Sequence, residues 1–398
     1  MSDFKPADKI QDLQYFGEYG GVNPSITDSS TYTFLRAGTM EGVFEGEVEG
    51  CYLYSRHWNP SNRYLAMALA EMEGTASASV TASGMGAITS VILQLCSFGD
   101  EVVTSRTIYG GTYAFFKNFL PKFNIQANFV DTTNVEQVKA AITPNTKVIY
   151  CETLSNPMLE VSDIRALSEL AKEHNCKLIV DNTFTPMVFS PAQLGADVVV
   201  HSMTKFINGM SDCVAGTICG DEELINSLYD VNDGAAMLLG PVLDSFRSAS
   251  ILKNLRTLHI RMKQHSANAM HITTKLDADG FKIVYPGLEK HPQHELMKTM
   301  MNTEYGFGGL FVIDMKTSER ANELMEKMQD DNVGYLAVSL GSYKTLFSAP
   351  GGSTSSEIPE EERLAMGLTD GLVRISIGLD NNPERTYQAI KRHIESVK

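Results

Sequence analysis

No Lys/Arg-rich run occurs anywhere in the 398 residues, and the formal net charge is -15. That balance argues against a general nucleic-acid binder or a protein held on an anionic membrane. No uninterrupted apolar stretch approaches the roughly 18 residues that a membrane-crossing helix needs. The six cysteines, at 51, 96, 151, 176, 213 and 219, include no CxxC pair. In a chain of this size they read as free thiols or small buried hydrophobes, not as a disulfide scaffold. The start, Met1-Ser2-Asp3-Phe4-Lys5, lacks the basic-then-apolar pattern of a secretory signal, so the expected location is cytoplasmic. No histidine cluster stands out either. His291 and His294 flank a turn at Pro292, and His265 falls in a helical stretch; ordinary polar or core roles are expected, with no metal.

What is present is the composition of a soluble globular protein, 43% apolar and 20% charged. The length allows a large core and two domains. Residues 1–60 are irregular, rich in Gly, Ser, Thr and aromatics, and read either as an arm packed on another subunit or as a surface extension. Regular pattern begins after Pro60. Apolar positions at helical spacing cover 61–73, ending near Gly74, then 86–96 and 162–173. Strand-like runs occupy 76–81, 101–104, 125–130, 147–151, 178–180, 198–200 and 214–219. Strands separated by helices predict crossover connections and a mainly parallel sheet. A long helical connector is expected over 242–273. Shorter strands follow, including Leu310-Phe311-Val312-Ile313 and Leu372-Val373-Arg374-Ile375-Ser376. The expected division is an arm (1–60), a large cofactor-binding domain (61–254) and a smaller C-terminal α/β domain with the connector (255–398).

The chemistry gathers at the ends of the strand-like runs. Leu178-Ile179-Val180 ends in Asp181, and Val198-Val199-Val200 runs into His201-Ser202-Met203-Thr204-Lys205. Parallel sheets bind ligands beyond the carboxyl ends of their strands, which brings this acid and this amine to one edge. A lysine there suits an imine with pyridoxal phosphate, and its neutral form moves protons between carbons. Asp181 suits the pyridine nitrogen, whose protonation it would favour; it also fits a turn or capping aspartate. Ser83-Gly84-Met85 precedes a helix start, where free N–H groups favour a phosphate, with Ser202 and Thr204 as further donors. Taken alone, that Gly-rich turn reads as a structural feature. Tyr109, in Thr107-Ile108-Tyr109-Gly110-Gly111-Thr112, suits a ring face or reads as a core tyrosine. Arg374 suits bidentate capture of a substrate carboxylate or reads as a surface strand arginine, and Ser339 stands as its helper.

In order and spacing these pieces resemble the Cys/Met-metabolism family of pyridoxal-phosphate enzymes, over roughly residues 12–396. The carrying motifs are Tyr54-Ser55-Arg56-His57-Trp58-Asn59-Pro60, Ser83-Gly84-Met85, Tyr109-Gly110-Gly111-Thr112, Asp181-Asn182-Thr183, Ser202-Met203-Thr204-Lys205 and Gly371-Leu372-Val373-Arg374. The resemblance implies pyridoxal-phosphate fold type I, aspartate-aminotransferase-like, with pyridoxal 5'-phosphate bound covalently to Lys205. It implies Asp181 at the pyridine nitrogen, Tyr109 on the ring, and Ser83, Gly84, Met85, Ser202 and Thr204 at the phosphate. It further implies that Tyr54 and Arg56 reach the phosphate of a neighbouring subunit, in a homotetramer built from two catalytic dimers. By the same resemblance Asn156 is expected near the phenolic oxygen and the substrate carboxylate, with Ser339 and Arg374.

Within the family, Ser353-Thr354-Ser355-Ser356-Glu357, Tyr54-Ser55-Arg56-His57 and Val91–Cys96 are most similar to plant-type methionine gamma-lyases. Many bacterial lyases of this kind carry cysteine where Gly111 stands here. The expected reaction is γ-elimination from L-methionine, giving methanethiol, 2-oxobutanoate and ammonia, with an apolar rim from Tyr54, Tyr109 and residues near 348–354. O-acetylhomoserine sulfhydrylase and cystathionine synthase or lyase chemistry are the alternatives inside the family. An aminotransferase or a noncatalytic structural oligomer are the alternatives outside it.

Overall fold

The computed structural model describes residues 4–15, 20–44, 48, 51–351, 359–365 and 367–397. A seven-stranded sheet forms from β1 (Ser77–Thr81), β2 (Glu101–Ser105), β3 (Gln126–Val130), β4 (Thr146–Glu152), β5 (Lys177–Asp181), β6 (Val198–Ser202) and β7 (Gly216–Gly220). Its order is β1-β7-β6-β5-β4-β2-β3. Strand β7 runs antiparallel to both its neighbours, and the remaining pairs are parallel. The runs Val148–Cys151, Leu178–Val180 and Val198–Val200 are apolar at every position because both faces of the sheet are covered. Alternate residues feed two cores: Ile149, Val180 and Val199 lie on one side, and Tyr150, Ile179 and Val200 on the other.

Local signals fix the helices. The helix Pro60–Glu73 starts with the Asn59 side chain accepting from Ser61 N, has proline at its first position, and stops at left-handed Gly74. The helix Gly84–Leu95 begins two residues earlier than its apolar spacing predicts, because the Ser83 hydroxyl caps Gly86 N at 2.9 Å. The leader is less irregular than expected, with short helices at Pro6–Asp12 and Ala37–Phe44.

The expected single connector over 242–273 is instead two helices, Ser245–Leu255 and Leu258–Ala278. The break has a hydrogen-bonding cause. Asn254 O accepts from Thr257 N (3.1 Å), Thr257 Oγ1 (3.0 Å) and Arg261 Nη2 (2.9 Å), which ends the first helix. The same Arg261 donates to the carbonyls of Phe206 and Ile207. The connector therefore braces the turn that carries Lys205.

A second sheet holds β8 (Ile283–Val284), β9 (Leu310–Asp314), β10 (Tyr335–Leu336), β11 (Leu346–Ser348) and β12 (Leu372–Ser376) in the order β10-β11-β12-β9-β8. Helices Leu258–Ala278, Ser318–Asp330 and Pro383–Ser396 pack one face through residues such as Ile272, Leu324 and Ile390. The other face looks toward the large domain. Leu310, Val312 and Leu372 join the core shared with the first sheet. No helix among the described residues is long and apolar enough to cross a membrane.

Candidate active site

Three neighbouring parallel strands each deliver a functional group at the carboxyl edge of the large sheet. Strand β5 ends in Asp181, and β4 ends in Glu152, directly opposite it. Strand β6 ends in Ser202, whose carbonyl accepts from Lys205 N at 3.1 Å, so a tight turn brings the lysine back over the edge. All four line one cavity of ≈ 260 Å³, with Tyr109, Asn156 and Arg374.

The Lys205 Nζ lies 3.2 Å from Ser339 Oγ. Burial, and then the positive charge of Arg374, lower its pKa to about 8. A lysine amine of that affinity stays mostly protonated at neutral pH but gives up its proton far more readily than an ordinary lysine, which favours proton transfer to and from carbon. Asp181 receives Thr183 N at 2.9 Å and the Tyr150 hydroxyl at 3.2 Å. Burial raises its pKa, while the Thr183 bonds, the charge of His201 and Tyr150 oppose that rise. Behind the sheet edge His201 Nε2 sits 2.6 Å from Glu73 Oε1, both side chains fully buried, and Asn182 Nδ2 reaches the same oxygen at 3.3 Å.

The start of helix Gly84–Leu95 faces the cavity through Ser83, Gly84 and Met85. First-turn N–H groups lack intrahelical acceptors, and the Ser83 hydroxyl satisfies only that of Gly86, leaving Gly84 and Met85 as anion donors. Gly84 must be glycine for space: a Cβ there would lie 2.7 Å from Ser202 Cβ. Thr204 lines the cavity as expected, but its hydroxyl is shared with the backbone of Ala215, accepting from the N–H at 3.0 Å. Tyr109 is not a core tyrosine; it is 41% exposed, in the turn after β2, with its N–H held by Glu152 Oε1 at 2.9 Å.

Arg374 is not a surface arginine. It is 2% exposed, because β12 lies inside its sheet and Arg374 shares the inward face with Leu372. Its guanidinium donates to Asn156 Oδ1 (2.9 Å), Ser339 O (3.4 Å) and Ser348 Oγ (3.5 Å). Burial lowers its pKa to about 10, partly offset by Glu152, so it stays cationic at neutral pH. Ser339 thus bridges the lysine and the arginine.

Tyr54 and Arg56 are not brought to this cavity by their own chain. Tyr54 is half exposed, and Arg56 Nη1 donates to Met237 O at 3.0 Å. The run Ser353–Glu357 and residues 352–354 of the expected rim lie outside the described residues. Sequence reasoning missed Glu152, Tyr150, Thr183, Ser348 and the Glu73–His201 pair. Glu152 carried the same signal as Asp181, an acid at the end of an apolar run, Val148–Cys151.

Comparison with known proteins places the chain in a family. Residues 9–385 match the family described as Cys/Met metabolism PLP-dependent enzyme. The chain belongs to that family. It is 46% identical to a methionine gamma-lyase of Arabidopsis thaliana over 98% of this chain and 90% of that one. It is 38% identical to a cystathionine gamma-lyase of Bacillus subtilis over 95% of each. Among solved structures, an O-acetylhomoserine (thiol)-lyase of Campylobacter jejuni superposes with a TM-score of 0.91 at 29% identity, over 99% of this chain and 100% of that one. That structure contains a pyridoxyl-lysine monophosphate.

The fold is therefore pyridoxal-phosphate fold type I, with a largely parallel central sheet and a smaller C-terminal domain. The cofactor is pyridoxal phosphate, carried on an active-site lysine, and the activity is that of a carbon–sulfur lyase or transferase acting on a small amino acid. The residues present fit the group. Lys205 is the lysine lining the cavity, Asp181 offers a doubly bonded carboxyl, and a helix start offers phosphate donors.

Proposed function

We propose that this protein catalyses γ-elimination from L-methionine, releasing methanethiol, 2-oxobutanoate and ammonia. The observation that carries the reading is the charge inventory of the cavity. Among the described residues of one chain, Arg374 is the only arginine lining it and Lys205 the only lysine. Arg374 is needed for the α-carboxylate and Lys205 for proton transfer. Among the described residues of one chain, no cation remains for a second carboxylate, as in cystathionine or a succinyl ester. Val214, Val338 and Leu340 line the same cavity, an apolar wall suited to an S-methyl group. The 46% identity to the Arabidopsis methionine gamma-lyase supports the same choice.

Pyridoxal phosphate, which Lys205, Asp181 and the start of helix Gly84–Leu95 would hold, would supply an imine-forming carbonyl and a sink for the electron pair at Cα. The chain's residues do the rest. Arg374, oriented by Asn156 and Ser348, holds the substrate carboxylate in a two-pronged grip. Lys205 Nζ takes the Cα proton, and proton transfer at Cβ readies the C–S bond for cleavage. Tyr109 covers the ring and its hydroxyl delivers a proton to the departing sulfur. Asp181 keeps the pyridine nitrogen protonated, and Gly84, Met85, Ser83, Ser202 and Thr204 hold the phosphate. Tyr54 and Arg56 serve the phosphate of a neighbouring subunit, with the 1–60 arm crossing to it in a tetramer of two catalytic dimers. Their separation from their own cavity supports that role.

A second reading is γ-replacement on O-acetylhomoserine by a thiol, favoured by the superposition on the Campylobacter enzyme and equally free of a distal charge. A product assay separates them. Purified holoenzyme receives methionine alone or O-acetylhomoserine with sulfide. Methanethiol with 2-oxobutanoate from methionine is the expected result. Homocysteine from the ester, with methionine inert, refutes the lyase reading in favour of the second.

A further inference from the structure

One side chain touches the support of both walls of the cavity, and no family motif pointed to it. Glu152 is 6% exposed at the end of β4. Its Oε1 accepts from Tyr109 N at 2.9 Å, and its Oε2 from Asn156 N at 2.8 Å. Both donors are main-chain groups, so these bonds fix where two turns run, not merely one rotamer. The first turn carries the ring-facing tyrosine. The second carries Asn156, whose Oδ1 accepts from Arg374 Nη1 at 2.9 Å. The turns lie 47 residues apart in sequence, between Tyr109 and Asn156, and no other described side chain accepts from both backbones.

A buried carboxylate opposite a second carboxylate is costly, and an apolar or amide side chain would avoid that penalty. Glu152 faces Asp181 across the β4–β5 register. Burial and the charge of Asp181 push its pKa well above the usual carboxylate range, and its two N–H donors and the charge of Arg374 oppose that rise. A carboxylate offers two acceptor oxygens and no donor, which is what two converging N–H groups need. Glutamine offers one acceptor and would turn its NH₂ toward the other N–H.

We propose that Glu152 is a positioning residue that ties the Tyr109 turn to the Asn156–Arg374 carboxylate clamp. Ring orientation and substrate carboxylate binding are then set by a single group. The proposal rests on the ring role of Tyr109 and the clamp role of Arg374, and not on which leaving group departs.

The test uses holoenzymes of wild type, Glu152→Gln, Glu152→Leu, Asn156→Ala and the Glu152→Gln/Asn156→Ala pair. Glycine, which has no leaving group, is titrated in and its Kd read from the cofactor absorbance band. Circular dichroism of that band reports ring orientation, and pyridoxal phosphate content is measured throughout. Glu152→Gln, with one acceptor left, is expected to weaken glycine binding by about tenfold or to change the cofactor-band ellipticity, with cofactor content retained. Glu152→Leu, with none left, is expected to move both. In the Asn156→Ala background the effect of Glu152→Gln on Kd is expected to shrink. Unchanged Kd and ellipticity in Glu152→Gln overturn the proposal, even if Glu152→Leu fails to fold. Fully multiplicative effects on Kd overturn it too. Neither readout needs turnover, so an enzyme inert toward methionine defeats the functional reading alone.

Discussion

Replacing Lys205 by methionine is expected to stabilise the cofactor-free protein while abolishing its reaction. The amine sits buried beside Arg374, and both effects bring its pKa down to about 8 from an ordinary 10.5. At about 1.4 kcal/mol for each tenfold change in proton affinity, folding the charged lysine costs on the order of 3 kcal/mol. Methionine forfeits the bond to Ser339, worth about 1 kcal/mol, so a net gain near 2 kcal/mol is expected. The dependence on pH carries a definite sign. Below pH 8 the lysine is protonated in both folded and unfolded chains, and the penalty is complete. Between pH 8 and 10.5 the unfolded chain binds more protons, so wild-type stability rises with pH and the gap to the variant closes. The assay is urea unfolding of both cofactor-stripped proteins from pH 7 to 10. A variant no more stable at pH 7, or an advantage that widens as pH rises, would refute the claim that the site holds its lysine at an energetic cost.

Other outcomes follow from the same geometry. Arg374→Lys keeps the charge but loses the planar fork that reaches Asn156, Ser339 and Ser348; KM for the amino acid is expected to rise about ten- to a hundredfold in steady-state assays. A Cβ at Gly111 would lie 2.6 Å from Tyr109 Cε1, so Gly111→Ala is expected to displace the ring. That variant should lower kcat/KM by about tenfold while cofactor content, read by absorbance, stays intact. Glu73→Ala leaves His201 buried without its partner; chemical denaturation should show a loss of about 3 kcal/mol, and an unchanged midpoint would show the pair is not needed for stability.

Much of the site was legible because of where polar residues interrupt apolar runs. Asp181 and Lys205 follow Leu178–Val180 and Val198–Val200, and runs that apolar belong to strands covered on both faces. Their far ends are then the places where a parallel sheet meets its ligand. Glu152 follows Val148–Cys151 in the same way and carries the same signal. The short motifs around Ser83, Tyr109 and Arg374 gained meaning from their order along the chain. The double helix at 245–278 was not legible, since its break depends on Arg261 reaching back to Asn254.

By itself, then, the amino-acid sequence determined the strands, their polar ends, the family and the cofactor, because strand period, capping and motif spacing are local properties. Tertiary structure alone decided that Arg374 is buried, since its exposure depends on β12 lying between β11 and β9 with that face against the large domain. It alone decided that Tyr54 and Arg56 stand away from their own cavity. It also brought Glu152 between two turns, because two backbone N–H groups distant in sequence converge only after the strands have taken their places in the sheet.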